Sequence, residues 1–268
     1  MLKVVVNGAA GRMGREVLRT VWQAEDMLLA GAVDIRGEGQ DVSTLLGSGK
    51  TGILLVSELE QVLQETRPDV MVDFTTPTAV LANIKTALKN KVCPVVGTTG
   101  ISKIDIPEIN EIAKREKLGC IIAPNFALGA LLMMHFAAQA AKYFPQVEII
   151  EMHHHQKLDA PSGTALKTAE IIQEQKSNFE PGLNQEIENL PGSRGGLFDD
   201  SIRIHSVRLP GLVAHQEVIF GGPGQVLTIR HDSFSRESFM PGVLMAIRQV
   251  IHLKGVLYGL ENILFEQP

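Results

Sequence analysis

The chain has 268 residues, 44% hydrophobic and 21% charged, which is enough apolar content for a core and too balanced for a disordered or fibrous chain. At roughly 100–200 residues per domain, that length suits one large or two modest domains. A formal charge of −5 supplies no basic field for nucleic acid or for an anionic membrane surface, so neither is an expected partner. Cys93 and Cys120 sit inside apolar runs and read as core thiols in a reducing compartment. The N-terminal apolar stretch is too short for a signal peptide, and no run of about 18 apolar residues occurs. The expected location is the cytoplasm, with a removed plastid transit peptide left open.

From the start to residue 126, short apolar runs alternate with amphipathic stretches, the pattern of βα units building a parallel sheet. The predicted strands are residues 4–7, 28–34, 52–56, 70–74, 92–96 and 119–123, with helices over 13–24, 77–90 and 106–117. Residues 35–50 are Gly-rich and polar and read as a loop. Beyond 126 the spacing predicts a helix over 129–144, a strand over 147–152 and a helix over 162–175 that Ser162 can cap. Residues 176–200 read as a long loop. Three β-rich runs, 201–208, 213–220 and 225–231, are separated by Pro-Gly and Gly-rich turns and read as antiparallel hairpins. The expected fold is α/β: an N-terminal Rossmann-type doubly wound parallel sheet (1–126), then a second α+β domain with a largely antiparallel sheet (127–237). A C-terminal helix over 238–268 is expected to pack back on the first domain.

Gly8-Ala9-Ala10-Gly11-Arg12-Met13-Gly14 follows the first strand and opens the first helix, so backbone N–H groups and the helix dipole can face a pyrophosphate. Asp34 ends the second strand about twenty residues beyond Gly14, where an acid accepts hydrogen bonds from the adenosine ribose. Arg36 can take up the 2′-phosphate of NADP, so NADH and NADPH both stay open as cofactors. Gly97-Thr98-Thr99-Gly100 ends the fifth strand at the carboxyl edge of the sheet. Ala123-Pro124-Asn125-Phe126 ends the sixth and is the expected hinge. Gly49-Lys50-Thr51 mimics the end of a P-loop, but Thr44 stands where that motif needs glycine.

The segment from Glu151 to Thr164, EMHHHQKLDAPSGT, leaves a strand, turns, and enters a helix. Three consecutive histidines suggest a metal, but neighbouring strand residues point to opposite faces and Lys157 puts a positive charge beside any cation. No metal is expected. Lys157 and a helix N-terminus at Ser162-Gly163-Thr164 suit an anion, and a carboxylate-bearing substrate fits.

Together with the two glycine motifs, this segment resembles the 4-hydroxy-tetrahydrodipicolinate reductase family, formerly dihydrodipicolinate reductase, of the diaminopimelate route to lysine. The resemblance implies hydride transfer from NADH or NADPH to a cyclic imine dicarboxylate, with loss of water. It implies His153 as general acid, and Lys157 as a proton donor or an electrostatic partner. His154, Gly163 and Thr164 would hold the substrate carboxylates. Gly8, Ala9, Ala10, Gly11, Arg12, Met13, Asp34, Gly97, Thr98, Thr99, Ala123, Pro124, Asn125 and Phe126 would line the cofactor. A homotetramer assembled through the second domain's sheet is also implied. The chemistry agrees, since a His near neutrality can supply a proton worth about 10²–10⁴ in rate.

The chain departs from the family in carrying Ile35 where some members have a cofactor-selecting Arg, with Arg displaced to Arg36. Residues 176–200 match no named motif, and His155 is left without a role. Two alternatives stand beside this reading: another Rossmann dehydrogenase of amino-acid metabolism, and a catalytically silent dinucleotide sensor. Since cofactor and substrate motifs fall in different halves, domain closure is expected.

Overall fold

The computed structural model describes residues 1–102, 104–175 and 187–265. The chain forms two compact units: Met1–Phe126 with Arg236–Pro268, and Ala127–Ser235.

The first unit is built from β1 (Leu2–Asn7), α1 (Arg12–Gln23), β2 (Met27–Val33), a single turn α2 (Ser43–Leu46), β3 (Leu55–Val56), α3 (Leu59–Thr66), β4 (Val70–Asp73), α4 (Val80–Lys89), β5 (Cys93–Val96), α5 (Asp105–Glu116) and β6 (Gly119–Ile122). Its strands pair in parallel, and β1, β4, β5 and β6 bury Val4, Val5, Val6, Val70, Met71, Val72, Val95 and Ile121 completely. Such strands are covered on both faces, which is why they read as continuous apolar runs. On one face α3, α4 and α5 pack side by side, with Val80, Ile84, Leu88, Ile109 and Ala113 closing over Val96, Cys120 and Ile122. Burial pushes the thiols of both Cys93 and Cys120 above the ordinary cysteine value, in keeping with unreactive core residues.

The rest of this unit follows the second one in sequence. Residues 238–268 are not one helix: a 3₁₀ turn (Arg236–Phe239) leads into what is numbered below as α8 (Met240–Val250), then a strand, β12 (Gly255–Tyr258), then α9 (Glu261–Phe265). Gly255 at φ 97° cannot continue a right-handed helix, and its N–H bonds to Leu118 O instead, aligning β12 in parallel beside β6. Helix α8 lies with α1 on the other face. The completed sheet runs β12-β6-β5-β4-β1-β2-β3. Strand order reverses between β1 and β4, and open α/β sheets bind ligands outside the carboxyl ends of such a pair.

The second unit contains α6 (Leu128–Ala141), β7 (Gln146–His153), α7 (Gly163–Gln175), β8 (Gly196–Phe198), β9 (Ile202–Arg208), β10 (Ala214–Gly222) and β11 (Gln225–Ser233), with sheet order β11-β10-β7-β9-β8. Only β10 and β11 form the expected hairpin. β9 pairs in parallel with one side of β7 and β10 antiparallel with the other, so β9 and β10 are never neighbours. The expected loop over 176–200 contains the edge strand β8, and its residues 176–186 lie outside those described. Along β7, Val147, Ile149 and Glu151 are buried while Glu148 and Ile150 are half-buried, so one face meets the helices and the other stays open.

Candidate active site

At the carboxyl ends of β1 and β4, Gly8, Gly11, Arg12, Met13, Asp34, Arg36, Gly97, Thr98 and Thr99 line one cleft of about 630 Å³. The glycines are required by the backbone. Gly8 has φ 81°, and a Cβ on Gly14 would lie 2.0 Å from Gly8 O, so the loop presses against the first turn of α1. Gly11 caps that helix with no side-chain acceptor, leaving first-turn N–H groups without an intrahelical partner at the positive end of the dipole. A pyrophosphate fits this cradle. Ala9 and Ala10 do not line it: Ala9 is fully buried with its N–H on Val33 O, and Ala10 N–H donates to Asp34 Oδ2 at 2.9 Å.

Asp34 is buried at the mouth of the cleft and accepts from Arg36 N at 2.9 Å and Arg36 Nε at 3.2 Å, while the Arg36 side chain stays 68% exposed. The acid that suits a ribose and the cation that suits a phosphate are thus one hydrogen-bonded pair. Ala123, Pro124, Asn125 and Phe126 are outside the cleft lining; Ala123 and Phe126 are buried, and the Phe126 ring packs on Phe74 at 5.7 Å.

Beneath the cleft floor lies Asp73, 0% exposed. Its carboxylate accepts from Asn7 Nδ2 at 2.9 Å, Asn83 Nδ2 at 2.8 Å, Thr75 N at 3.1 Å, Thr75 Oγ1 at 2.8 Å and Thr98 Oγ1 at 2.6 Å. Asp73 therefore orients Asn7, Thr75, Asn83 and Thr98, all of which face the cleft.

In the second unit, His153 ends β7 with its side chain 15% exposed, and its Nδ1 lies 2.5 Å from Oε2 of Glu151, which is 0% exposed. Arg208 on β9 clamps the same carboxylate through Nη1 at 2.8 Å and Nη2 at 2.7 Å, and also donates to Asp159 O at 2.7 Å. Ser162 is buried; its N–H donates to Glu151 Oε1 at 3.2 Å, and its Oγ accepts the Ala165 N–H at 3.2 Å, so it caps α7 as its type leads one to expect. Gly163 is exposed, with open space where a Cβ would stand. Lys157 donates to both oxygens of Asp159, at 2.7 and 2.9 Å. His154 and His155 are exposed.

Burial is the largest influence on His153 and pulls its pKa down; Glu151 pushes it up, Lys157 and Arg208 pull it down, and it settles below the ordinary histidine value. Burial also acts most strongly on Glu151, pushing it up. Hydrogen bonds from Arg208, Ser206 and His153 outweigh that and hold the carboxyl below its usual range.

Comparison with known proteins adds to this geometry. The family described as dihydrodipicolinate reductase matches with its N-terminal part over residues 2–126 and its C-terminal part over 129–264. The chain belongs to the dihydrodipicolinate reductase family. A 4-hydroxy-tetrahydrodipicolinate reductase from Desulfitobacterium hafniense is 56% identical over 264 residues, covering 98% of each chain, and one from Synechocystis sp. is 51% identical over 270 residues with the same coverage. A dipicolinate-bound dihydrodipicolinate reductase from Paenisporosarcina sp. TG-14 superposes with a TM-score of 0.88 at 48% identity, covering 98% of this chain and 99% of that one. An amine dehydrogenase from Mycobacterium smegmatis, 14% identical with a TM-score of 0.66 and 96% and 94% coverage, shares the fold.

Membership of the dihydrodipicolinate reductase family makes the chain an NAD(P)H-dependent oxidoreductase of lysine biosynthesis. Among the described residues no helix is long and apolar enough to cross a membrane. Four residues of these two hydrogen-bonded clusters receive no role from the sequence. Asp73 looks like a plain strand end, and its donors Asn7 and Asn83 are distant in sequence. Asp159 and Arg208 belong to no spacing pattern. Glu151 alone leaves a local trace, as an acid in the apolar phase of β7.

Proposed function

We propose that this chain reduces 4-hydroxy-tetrahydrodipicolinate to tetrahydrodipicolinate with loss of water, using His153 as general acid and Lys157 with the N-terminus of α7 to bind the substrate carboxylates. The observation that carries the proposal is that a partly exposed His153 at the end of β7, Lys157 in the short connection that follows, and the first turn of α7 succeed one another directly. The names of relatives aligned over 98% of the chain support the substrate, and the dipicolinate in the Paenisporosarcina relative supports its cyclic dicarboxylate character.

NADH or NADPH supplies the hydride when bound. The first turn of α1, with Gly8, Gly11, Arg12 and Met13, would hold its pyrophosphate; Asp34 would take the ribose, and Arg36 would take a 2′-phosphate where one is present. Gly97, Thr98 and Thr99 would hold its nicotinamide end, with Ala123, Pro124, Asn125 and Phe126 supporting that end from outside the cleft lining. In the second unit, protonated His153 donates its proton to the substrate as hydride arrives. Lys157 leaves Asp159 for a substrate carboxylate, because a charged dianion competes with one half-exposed acid. Gly163 and Thr164 offer first-turn N–H groups to the same anion, Ser162 fixes where that turn begins, and His154 closes over it. Two added negative charges raise the proton affinity of His153 in the complex, which favours the form the reaction needs.

The same reading places the protein in the cytoplasm as a homotetramer. The open face of the second unit's sheet, and the edge strand β11 with Val226 70% exposed, are surfaces that assembly would cover. Light scattering from the purified protein at four times the chain mass is the expected result.

The deciding assay follows NADH and NADPH absorbance with freshly generated 4-hydroxy-tetrahydrodipicolinate. Rapid oxidation is expected, with kcat reduced about 10²–10⁴-fold in His153→Ala and strongly in Lys157→Ala. Absence of turnover while both cofactors still bind would overturn the proposal.

A further inference from the structure

We propose that Glu151, locked in place by Arg208, is a positioning residue for the reaction: it fixes the His153 ring with Nδ1–H bound to the carboxylate and so makes Nε2 the atom that delivers the proton. This inference rests on His153 being the general acid.

Strand geometry sets up the pair. Residues two apart on β7 share a face, so Glu151 and His153 both project toward the helix-covered side, following Val147 and Ile149. A carboxylate in that row is costly to bury unless its lone pairs are filled. Here they are filled by Arg208 Nη1 and Nη2, by Ser162 N–H and by His153 Nδ1, and Ser206 on β9 adds a further bond. An ionised carboxylate has no proton to give. The hydrogen in the 2.5 Å contact therefore sits on Nδ1, and the neutral ring is the Nδ1–H tautomer with Nε2 free.

When the protonated ring gives its Nε2 proton to the substrate, the N–H bond breaks, the neutral Nδ1–H form remains on Glu151, and water reprotonates Nε2 for the next turnover. Glu151 keeps its charge throughout. It stabilises the protonated ring, in opposition to burial and to Lys157 and Arg208.

The charged and titratable groups around this pair are few. β9 contributes Arg208, and the turn before α7 contributes Lys157 and Asp159. The cap of α7 is the neutral Ser162, and α7 itself presents the neutral Thr168. β10 places neutral Gln216 opposite Glu151, and beyond it β11 places His231, itself held below the ordinary histidine value by burial. Glu151 is thus the one buried anion on this face among the described residues, and Arg208 holds it at a fixed distance from the imidazole.

The test uses Glu151→Gln in the full-length enzyme. With the carboxylate gone, kcat is expected to fall about 10²-fold, the lower end of what general-acid catalysis contributes. The alkaline limb of the kcat profile should move about one unit toward acid pH, the shift expected on losing a nearby opposite charge. KM for NADH should stay unchanged. In a His153→Ala background the same substitution should cost nothing further in kcat. A fall in kcat with the limb unmoved, or an equal fall in the His153→Ala background, would mean that Glu151 only supports the sheet and would overturn the proposal. Should Glu151→Gln not fold, ¹⁵N spectra of the native imidazoles decide, with the His153 signals assigned by their loss in His153→Ala: an Nδ1–H tautomer supports the positioning role and an Nε2–H tautomer overturns it. Full activity of His153→Ala would instead remove the general-acid reading itself, whatever Glu151→Gln does.

Discussion

Among the described residues each unit buries one carboxylate completely, and the two do so in opposite ways. Asp73 is surrounded by neutral donors from Asn7, Thr75, Asn83 and Thr98, whereas Glu151 faces a guanidinium and an imidazole. Neutral donors satisfy an anion without passing its charge on, so Asp73 is a fixed peg around which a binding surface is arranged. A titratable donor couples the anion to a proton that moves. The first arrangement suits a site that only holds its ligand, the second a site that performs proton transfer.

The largest effect that could break this contrast comes from the cation. Arg208→Met leaves Glu151 buried beside no fixed positive charge, and removing one partner of a buried pair costs about 3–5 kcal/mol. Denaturant unfolding should show a loss of that size; a loss below about 1 kcal/mol would mean that the pair behaves like a surface contact. Next comes Asp73→Asn, which replaces the oxygen that accepts from the Asn7 and Asn83 amides with an NH₂ donor and strands those buried donors at about 1–3 kcal/mol each. KM for NADH should rise while the pH profile stays in place, the reverse of the pattern expected for Glu151→Gln. An unchanged KM would show that the peg does not organise the cleft.

The smallest effect is in the native protein's response to pH. A general acid works in its protonated form, so kcat/KM should fall as pH rises through the His153 value of the free enzyme, which lies below 6.5. Stability should move the other way. His153 and His231 both titrate lower when folded, so between their folded values and 6.5 the unfolded chain binds more protons and stability increases slightly with pH. Thermal melts across pH 5 to 7 read this sign directly, and a decrease would contradict the burial of both rings.

How much of this was legible beforehand follows the physics of each element. The strands of the first sheet announce themselves because parallel strands covered on both faces must be apolar throughout, and the glycine loop is visible because two backbones meet at Gly8 and Gly14. The helix α3 has no expectation to match it: its apolar positions, Leu59, Val62 and Leu63, span little more than one turn, too short a stretch to set a period. Strand β12 was hidden inside an apolar stretch whose helical spacing holds only as far as Val250. The pairing of β9 and β10 with β7 rather than with each other has no local signature, since turn residues mark where the chain reverses and not which neighbour it finds. The nearby acid, amide and guanidinium partners were missed for the same reason, as they meet across sequence separations of 57 for Arg208 and Glu151 and 66 for Asn7 and Asp73.

The closing strand β12 also sets an order of assembly. A ribosome delivers β1 to β6 first, but the sheet they form keeps an unpaired edge at β6 and lacks α8 until residues beyond 236 emerge. The unit spanning Ala127–Ser235 is by then fully synthesised, so the part of the protein begun second is the part whose chain is completed first. A stop codon anywhere between α7 and β12 would leave the older half waiting with an open strand edge of the kind that invites aggregation.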